Sequence, residues 1–117
     1  LESTSNRSAF FVKIVLYLKI NSTKMQIKKT QIKNILIQDL KQAEQIASQF
    51  TGGYSGSFSS AETFHKALVE TISRFENGDD SAIDELWIWF APTSHWDDFV
   101  GDANLGNRIF EHLKQLK

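Results

Sequence analysis

SAETFHKALVETISRF, residues 60–75, is the stretch of sequence that most clearly predicts a helix. Its core-type side chains recur at steps of three and four residues, which places them on one face of a helix. The residues on that face are Phe64, Ala67, Leu68, Thr71, Ile72 and Phe75. Ser59-Ser60-Ala61-Glu62 predicts a capping box, in which a serine hydroxyl caps the helix and Glu62 reaches back to the cap. Asn77-Gly78 is expected to end this helix.

The sequence before and after this helix has a similar spacing of apolar residues. Residues 26–50 predict a long helix that stops at Gly52-Gly53, because glycine ends helices at little cost. Residues 82–90 predict a shorter helix, which ends before Pro92 because the residue before a proline avoids helical geometry. The pattern is therefore helical through most of the chain.

The last part of the chain predicts two further helical elements. Ser94 to Gly101 has the cap and stop residues of a short turn. Asn104 is expected to cap a final helix with Leu105, Ile109, Leu113 and Leu116. We therefore predict an all-α fold, a small bundle of about four helices between about residues 27 and 116, with a short helical turn near residues 95–100 before the last helix.

The beginning of the chain has a different composition. Residues 9–20, AFFVKIVLYLKI, are rich in β-forming side chains and predict a strand. Lys13 and Lys19 interrupt the run, which is shorter than the roughly 20 apolar residues of a membrane span. Residues 1–24 could be a native element, a targeting segment or an upstream extension. We favour the extension, because the sole methionine, Met25, precedes a helical pattern, and we predict one helical domain over residues 25–117.

Composition excludes several classes of protein. The chain has 117 residues, a formal net charge of −1 and no cysteine. It therefore has no disulfide framework, thiolate zinc site or cysteine nucleophile. Near-neutral charge gives no overall attraction to nucleic acid or to an acidic membrane. We expect a cytoplasmic protein whose partner is neither a nucleic acid nor a membrane.

The average charge hides an acidic second half. Residues 50–117 contain five basic and eleven acidic residues, and no Lys or Arg lies between Arg74 and Arg108. That window holds eight carboxylates and three tryptophans, a combination typical of protein-recognition surfaces. Asp79, Asp80 and Asp97 have cap-like positions. The predicted interface consists of the carboxylates without an obvious local role and two aromatics: Asp84, Glu85, Trp89, Trp96, Asp98 and Asp102.

Catalytic and metal-binding patterns are weak. Ser94, His95 and Asp97 are near neighbours in sequence, and such residues rarely converge as a nucleophilic triad. The aspartates lack the spacing of a calcium loop, and the histidines lack the spacing of a zinc site. We predict no catalytic residues, no metal and no cofactor.

Two alternatives to protein binding stay open. The first is a small-ligand or hydrolytic pocket built from Tyr54, His65, His95 and Asp97, which requires those groups to converge in a cleft. The second is a structural helical domain in which residues 89–98, WFAPTSHWDD, form a corner with a buried Trp96.

Two stretches of the chain resemble small, mostly uncharacterised bacterial helical domains of about ninety residues. They are GGYSGSFSSAETFHKAL and ELWIWFAPTSHWDDFVGDANLGNRIFEHL. The resemblance covers residues 52–113, and its most specific element is WFAPTSHWDDFVG. Some proteins that look like this are immunity proteins of toxin systems. The resemblance therefore implies a bacterial protein that neutralises a toxin, with an acidic and aromatic surface against a basic toxin domain. It implies no catalytic residues.

Overall fold

The computed structural model describes the backbone of residues 2–117 and the side chains of residues 11–117. Within that range the chain forms five helices, and the single β-bridge joins Ser55 to Phe58. In chain order the helices are α1 Glu2–Ala47, α2 Ala61–Glu76, α3 Ala82–Phe90, α4 His95–Phe99 and α5 Ala103–Leu116. The predicted all-α fold is confirmed, with α4 as the short turn before the last helix.

The chain divides into two compact units, Leu1–Gln31 and Ile32–Lys117. The second unit contains the hydrophobic core, to which every helix contributes. Helix α1 contributes side chains at steps of four, three and four residues, as the sequence predicted. The largest fully buried side chains are Leu36, Leu40, Phe64, Leu68, Phe75, Leu86, Trp96, Ile109 and Leu113.

The strand predicted for residues 9–20 is wrong, because these residues lie within α1. A strand satisfies its backbone groups only by pairing with another strand, whereas a helix satisfies them internally. The described part of the chain offers no partner strand, so β-type composition does not decide the conformation here. Met25, the predicted start of the domain, lies inside the same helix. No helix in the described residues combines the length and the apolar character needed to cross a membrane.

The helix caps differ from the prediction in two places. Ser60 caps α2 by accepting a hydrogen bond from the Thr63 amide, so Glu62 is one position too early to complete a capping box. Glu62 Oε1 instead accepts a 2.6 Å hydrogen bond from the Gly52 amide, which ties the loop after α1 to α2. Asp102, not Asn104, caps α5, and its Oδ1 lies 3.1 Å from the Leu105 amide nitrogen.

Candidate functional site

Trp96 lies inside the core and not on the predicted interface. Its side chain is 1% exposed, and its ring packs at 5.1 Å from that of Phe90. The indole nitrogen donates a 2.9 Å hydrogen bond to the carbonyl oxygen of Asp102. Gly106 allows this packing, since a Cβ there would lie 2.6 Å from the indole ring. Trp96 is therefore a structural residue, as the corner hypothesis requires, and its assignment to a surface is corrected.

Asp102 has the local role that the sequence did not assign to it. Its carboxylate caps α5, and its carbonyl accepts the Trp96 hydrogen bond. Both interactions belong to the corner between α4 and α5. Asp102 is half-buried, so its main role is in this corner and not in the predicted interface.

Asp84 and Glu85 are paired with cations. Glu85 Oε2 lies 2.6 Å from Arg74 Nη1, and Asp84 Oδ1 lies 3.3 Å from Lys117 Nζ. Basic residues from outside the window free of Lys and Arg therefore pair with carboxylates at this end of it, and Arg74 is shared with Asp79.

Arg74 forms the centre of this ionic corner between α2 and α3. Hydrogen bonds to Asp79 first, and to Glu85 second, raise the pKa of the guanidinium above its ordinary value. The pKa of Asp79 is lowered, chiefly by the hydrogen bond from the Ser81 hydroxyl and then by Arg74. These charges hold the turn before α3 in place.

The loop of residues 51–59 is fixed to α4 by its own side chains. Ser55 is buried, and its hydroxyl donates a 2.5 Å hydrogen bond to Asp98 Oδ2. The backbones of Ser55 and Phe58 exchange two 3.0 Å hydrogen bonds. Gly56 has φ +56°, and a Cβ there would lie 2.7 Å from His95 Nε2. Despite its Gly/Ser composition, this 51–59 loop is therefore anchored to α4 through Ser55 and packed closely against His95 at Gly56.

Aromatic side chains of α2, α3 and α4 also pack against the 51–59 loop. Phe58 packs edge-to-face on Phe64, Trp89 and His95, with ring centroids 5.2–5.5 Å apart. Phe58, Trp89 and His95 are half-buried, whereas Phe64 is fully buried. Trp89 therefore has one side in the cluster and part of its surface in solvent.

Tyr54 is the most exposed large side chain near this cluster, at 84%. It precedes Ser55, whose hydroxyl is bonded to Asp98, and it is one of the four residues of the alternative pocket. Asp97 and Asp98 are exposed, and neither has a cation within ion-pair distance among the described residues. Asp97 Oδ2 accepts a 2.6 Å hydrogen bond from the Thr93 amide. We call the exposed Tyr54, Asp97 and Asp98, together with Trp89 of α3, which packs on Phe58 of the loop, the loop–α4 face.

The four residues of the alternative pocket, Tyr54, His65, His95 and Asp97, have different environments. His65 Nε2 lies 2.7 Å from Glu44 Oε1, while His95 Nδ1 lies 3.0 Å from the Ser94 hydroxyl. A groove of about 260 Å³ between α1 and α2 has none of the four in its lining, which consists of Lys41, Glu44, Gln45, Val69, Ile72, Ser73 and Glu76. Among the described residues, no three His, Asp or Glu side chains are placed to hold a metal ion.

Comparison of the chain with protein-family models, curated proteins and solved structures gives no match. The resemblance to immunity-protein-like bacterial domains therefore stays a prediction.

Proposed function

We propose that this chain is a non-enzymatic protein-binding domain that recognises a basic partner through the loop–α4 face. The observation that carries the proposal is Tyr54, an aromatic side chain that is 84% exposed on a loop fixed by buried contacts. Tyrosine is enriched at binding hot spots, because it provides a large contact area at a small cost in conformational entropy.

The fixed conformation of the 51–59 loop favours binding. A loop that is ordered only in a complex loses conformational freedom on association, which weakens affinity. Here Ser55, Gly56 and Phe58 hold the loop before any partner arrives. Tyr54 is therefore presented by a preorganised support.

The charge of the loop–α4 face favours a basic partner. Asp97 and Asp98 lack a cation partner among the described residues, in contrast to Asp84 and Glu85. Complementary charge steers association and excludes like-charged partners. The most specific form of the proposal is an immunity protein in a bacterial cytoplasm that neutralises a basic toxin domain. Of the six residues predicted for the interface, Trp89 and Asp98 belong to this face.

Site-specific photo-cross-linking tests the proposal. Position 54 is replaced by benzoylphenylalanine, which keeps a large aromatic side chain, and the full chain is irradiated with the product of the adjacent reading frame. Glu70, exposed on α2, is the matched control position. We expect a discrete adduct from position 54 that disappears with Asp98→Lys, and none from position 70.

The controls distinguish the loss of a contact with the partner from a loss of the fold. Ser55→Ala removes the hydrogen bond to Asp98 but leaves the carboxylate, so it is expected to weaken the adduct less than Asp98→Lys. Equal adducts from positions 54 and 70, or no adduct from position 54 in the folded chain, would contradict the proposed face.

A further inference from the structure

Asn77 ends helix α2, and it is the one asparagine in the sequence that is followed by a glycine. Asn77 and Gly78 are both exposed. Gly78 has φ +92°, and no atom lies within 4 Å of the position that a Cβ would take there. The backbone nitrogen of Gly78 is therefore not shielded by a side chain on its own residue.

An asparagine and the glycine after it can react with each other in water. Once hydroxide has taken the proton of the glycine amide, the nitrogen attacks the carbon of the asparagine side-chain amide. The new carbon–nitrogen bond closes a succinimide ring, the bond to the side-chain nitrogen breaks, and ammonia leaves with a proton from water, which regenerates hydroxide. Water then adds to either ring carbonyl and gives aspartate or isoaspartate. This chemistry makes asparagine a thermolabile residue.

The folded turn opposes the reaction at Asn77. Its ψ is 8°, so the Gly78 nitrogen lies next to the backbone nitrogen of Asn77 and not beside its side chain. The Gly78 amide also donates a 3.1 Å hydrogen bond to the carbonyl oxygen of Phe75. The Asp79 amide donates a 3.0 Å hydrogen bond to that of Arg74, which completes a Schellman motif. The turn must therefore open before the ring can close.

The ionic corner around Arg74 holds this turn closed. Arg74 Nε lies 3.0 Å from Asp79 Oδ2, and Asp79 Oδ1 accepts a 3.0 Å hydrogen bond from the Ser81 amide. Asp79 directly follows Gly78, so these contacts fix the backbone next to the reacting nitrogen. Local openings that break fewer contacts are populated more often. The corner therefore controls how often the reactive geometry is reached.

We propose that Asn77 is a site of spontaneous deamidation whose rate is set by the contacts of Asp79. The product adds one negative charge to a chain whose formal net charge is −1. Aspartate places that charge at the C-terminal end of α2, where the helix dipole opposes it. Isoaspartate lengthens the backbone by a methylene group, so the hydrogen bonds of the Schellman motif no longer match. The site uses no residue of the loop–α4 face.

Incubation of the folded full chain in mildly alkaline buffer tests the proposal. Ion-exchange chromatography follows the more acidic form, and peptide mapping by mass spectrometry locates the modified residue. We expect conversion at Asn77, at a rate that rises with pH because the attacking nitrogen must lose its proton. Asn107 is the internal control, because it is exposed on α5 but is followed by Arg108, whose side chain shields the next nitrogen. Conversion at Asn107 as fast as at Asn77, or no conversion at Asn77, would overturn the proposal.

Asp79→Ala and Asp80→Ala form a matched pair, because both aspartates are exposed but only the Asp79 side chain makes hydrogen bonds with the described residues. Asp79→Ala is expected to speed conversion at Asn77 about threefold or more, and Asp80→Ala to leave the rate unchanged. Circular dichroism verifies that each variant is folded during the incubation. Equal rates in the two variants would contradict control of the site by the ionic corner.

Discussion

The indole ring of Trp96 and the backbone of Gly106 meet at a distance that leaves no room for a methyl group. A Cβ at position 106 would lie 2.6 Å from the ring, and the ring is held in place by Phe90 and by the carbonyl of Asp102. This contact joins α4 to α5. At the scale of single residues it explains why a glycine lies inside a helix, where glycine is otherwise unfavourable.

Gly106→Ala is therefore expected to lower the free energy of unfolding by about 1–3 kcal/mol, despite the higher helix propensity of alanine. Urea titration followed by circular dichroism measures the change. Asn107→Ala, at the exposed neighbouring position, is the control and is expected to change stability by about 0.5 kcal/mol or less. A Gly106→Ala protein with the same free energy of unfolding as wild type would show that the Trp96 ring moves aside.

The ionic corner around Arg74 predicts a dependence of stability on pH. The pKa of Asp79 is lower in the folded protein than in the unfolded chain, because Ser81 and Arg74 stabilise its carboxylate. The stabilisation is therefore present above the unfolded pKa and is lost as pH falls through the folded pKa, below about pH 4.

Urea midpoints at about pH 7 and about pH 3 test this assignment. The wild-type chain is expected to lose more stability over this interval than Asp79→Asn does. Asp80→Asn is the control, since the Asp80 side chain makes no hydrogen bond with the described residues. The same loss of stability in all three proteins between these pH values would show that Asp79 does not contribute to the pH dependence.

At the scale of elements, the 51–59 loop packs with the helical bundle because Ser55 and Phe58 contact α4. Ser55→Ala removes the hydroxyl that donates to Asp98. We expect the amides of Ser55 and Phe58 to exchange with solvent about fivefold faster in this variant, as for the loss of a hydrogen bond worth about 1 kcal/mol.

Hydrogen exchange by NMR measures this effect, with Ser57→Ala as the control because Ser57 is exposed and makes no side-chain hydrogen bond with the described residues. Exchange rates at Ser55 and Phe58 that are the same in Ser55→Ala and wild type would show that the aromatic cluster alone holds the loop.

The elements also show how far a sequence predicts this fold. Residues 60–75 combine core spacing with a serine cap, and both are present in α2. The N-terminal segment was predicted as a strand because β-type composition does not reveal whether a pairing strand exists. Trp96 was placed at the surface because a five-residue helix is too short to show a periodic pattern. The signal that could have located it is the glycine at position 106 within a predicted helix.

At the scale of the whole molecule, ion pairs distinguish one part of the acidic window from another. The sequence showed a window without Lys or Arg, but sequence order does not show that Arg74 and Lys117 fold back to Asp84 and Glu85. The loop–α4 face combines a strongly exposed aromatic, Tyr54, with two exposed carboxylates that lack a cation among the described residues. The predicted protein-binding surface is therefore narrower than the acidic window.

Tyr54→Ala gives the most direct test of this account, because the side chain is 84% exposed and contributes little to folding. The dissociation constant for the cross-linked partner is measured by calorimetry for wild type, Tyr54→Ala and Glu70→Ala. We predict a loss of affinity of about 30-fold or more for Tyr54→Ala, an unchanged melting temperature, and no loss for Glu70→Ala. Equal affinity of the two variants would contradict a binding site on the loop–α4 face.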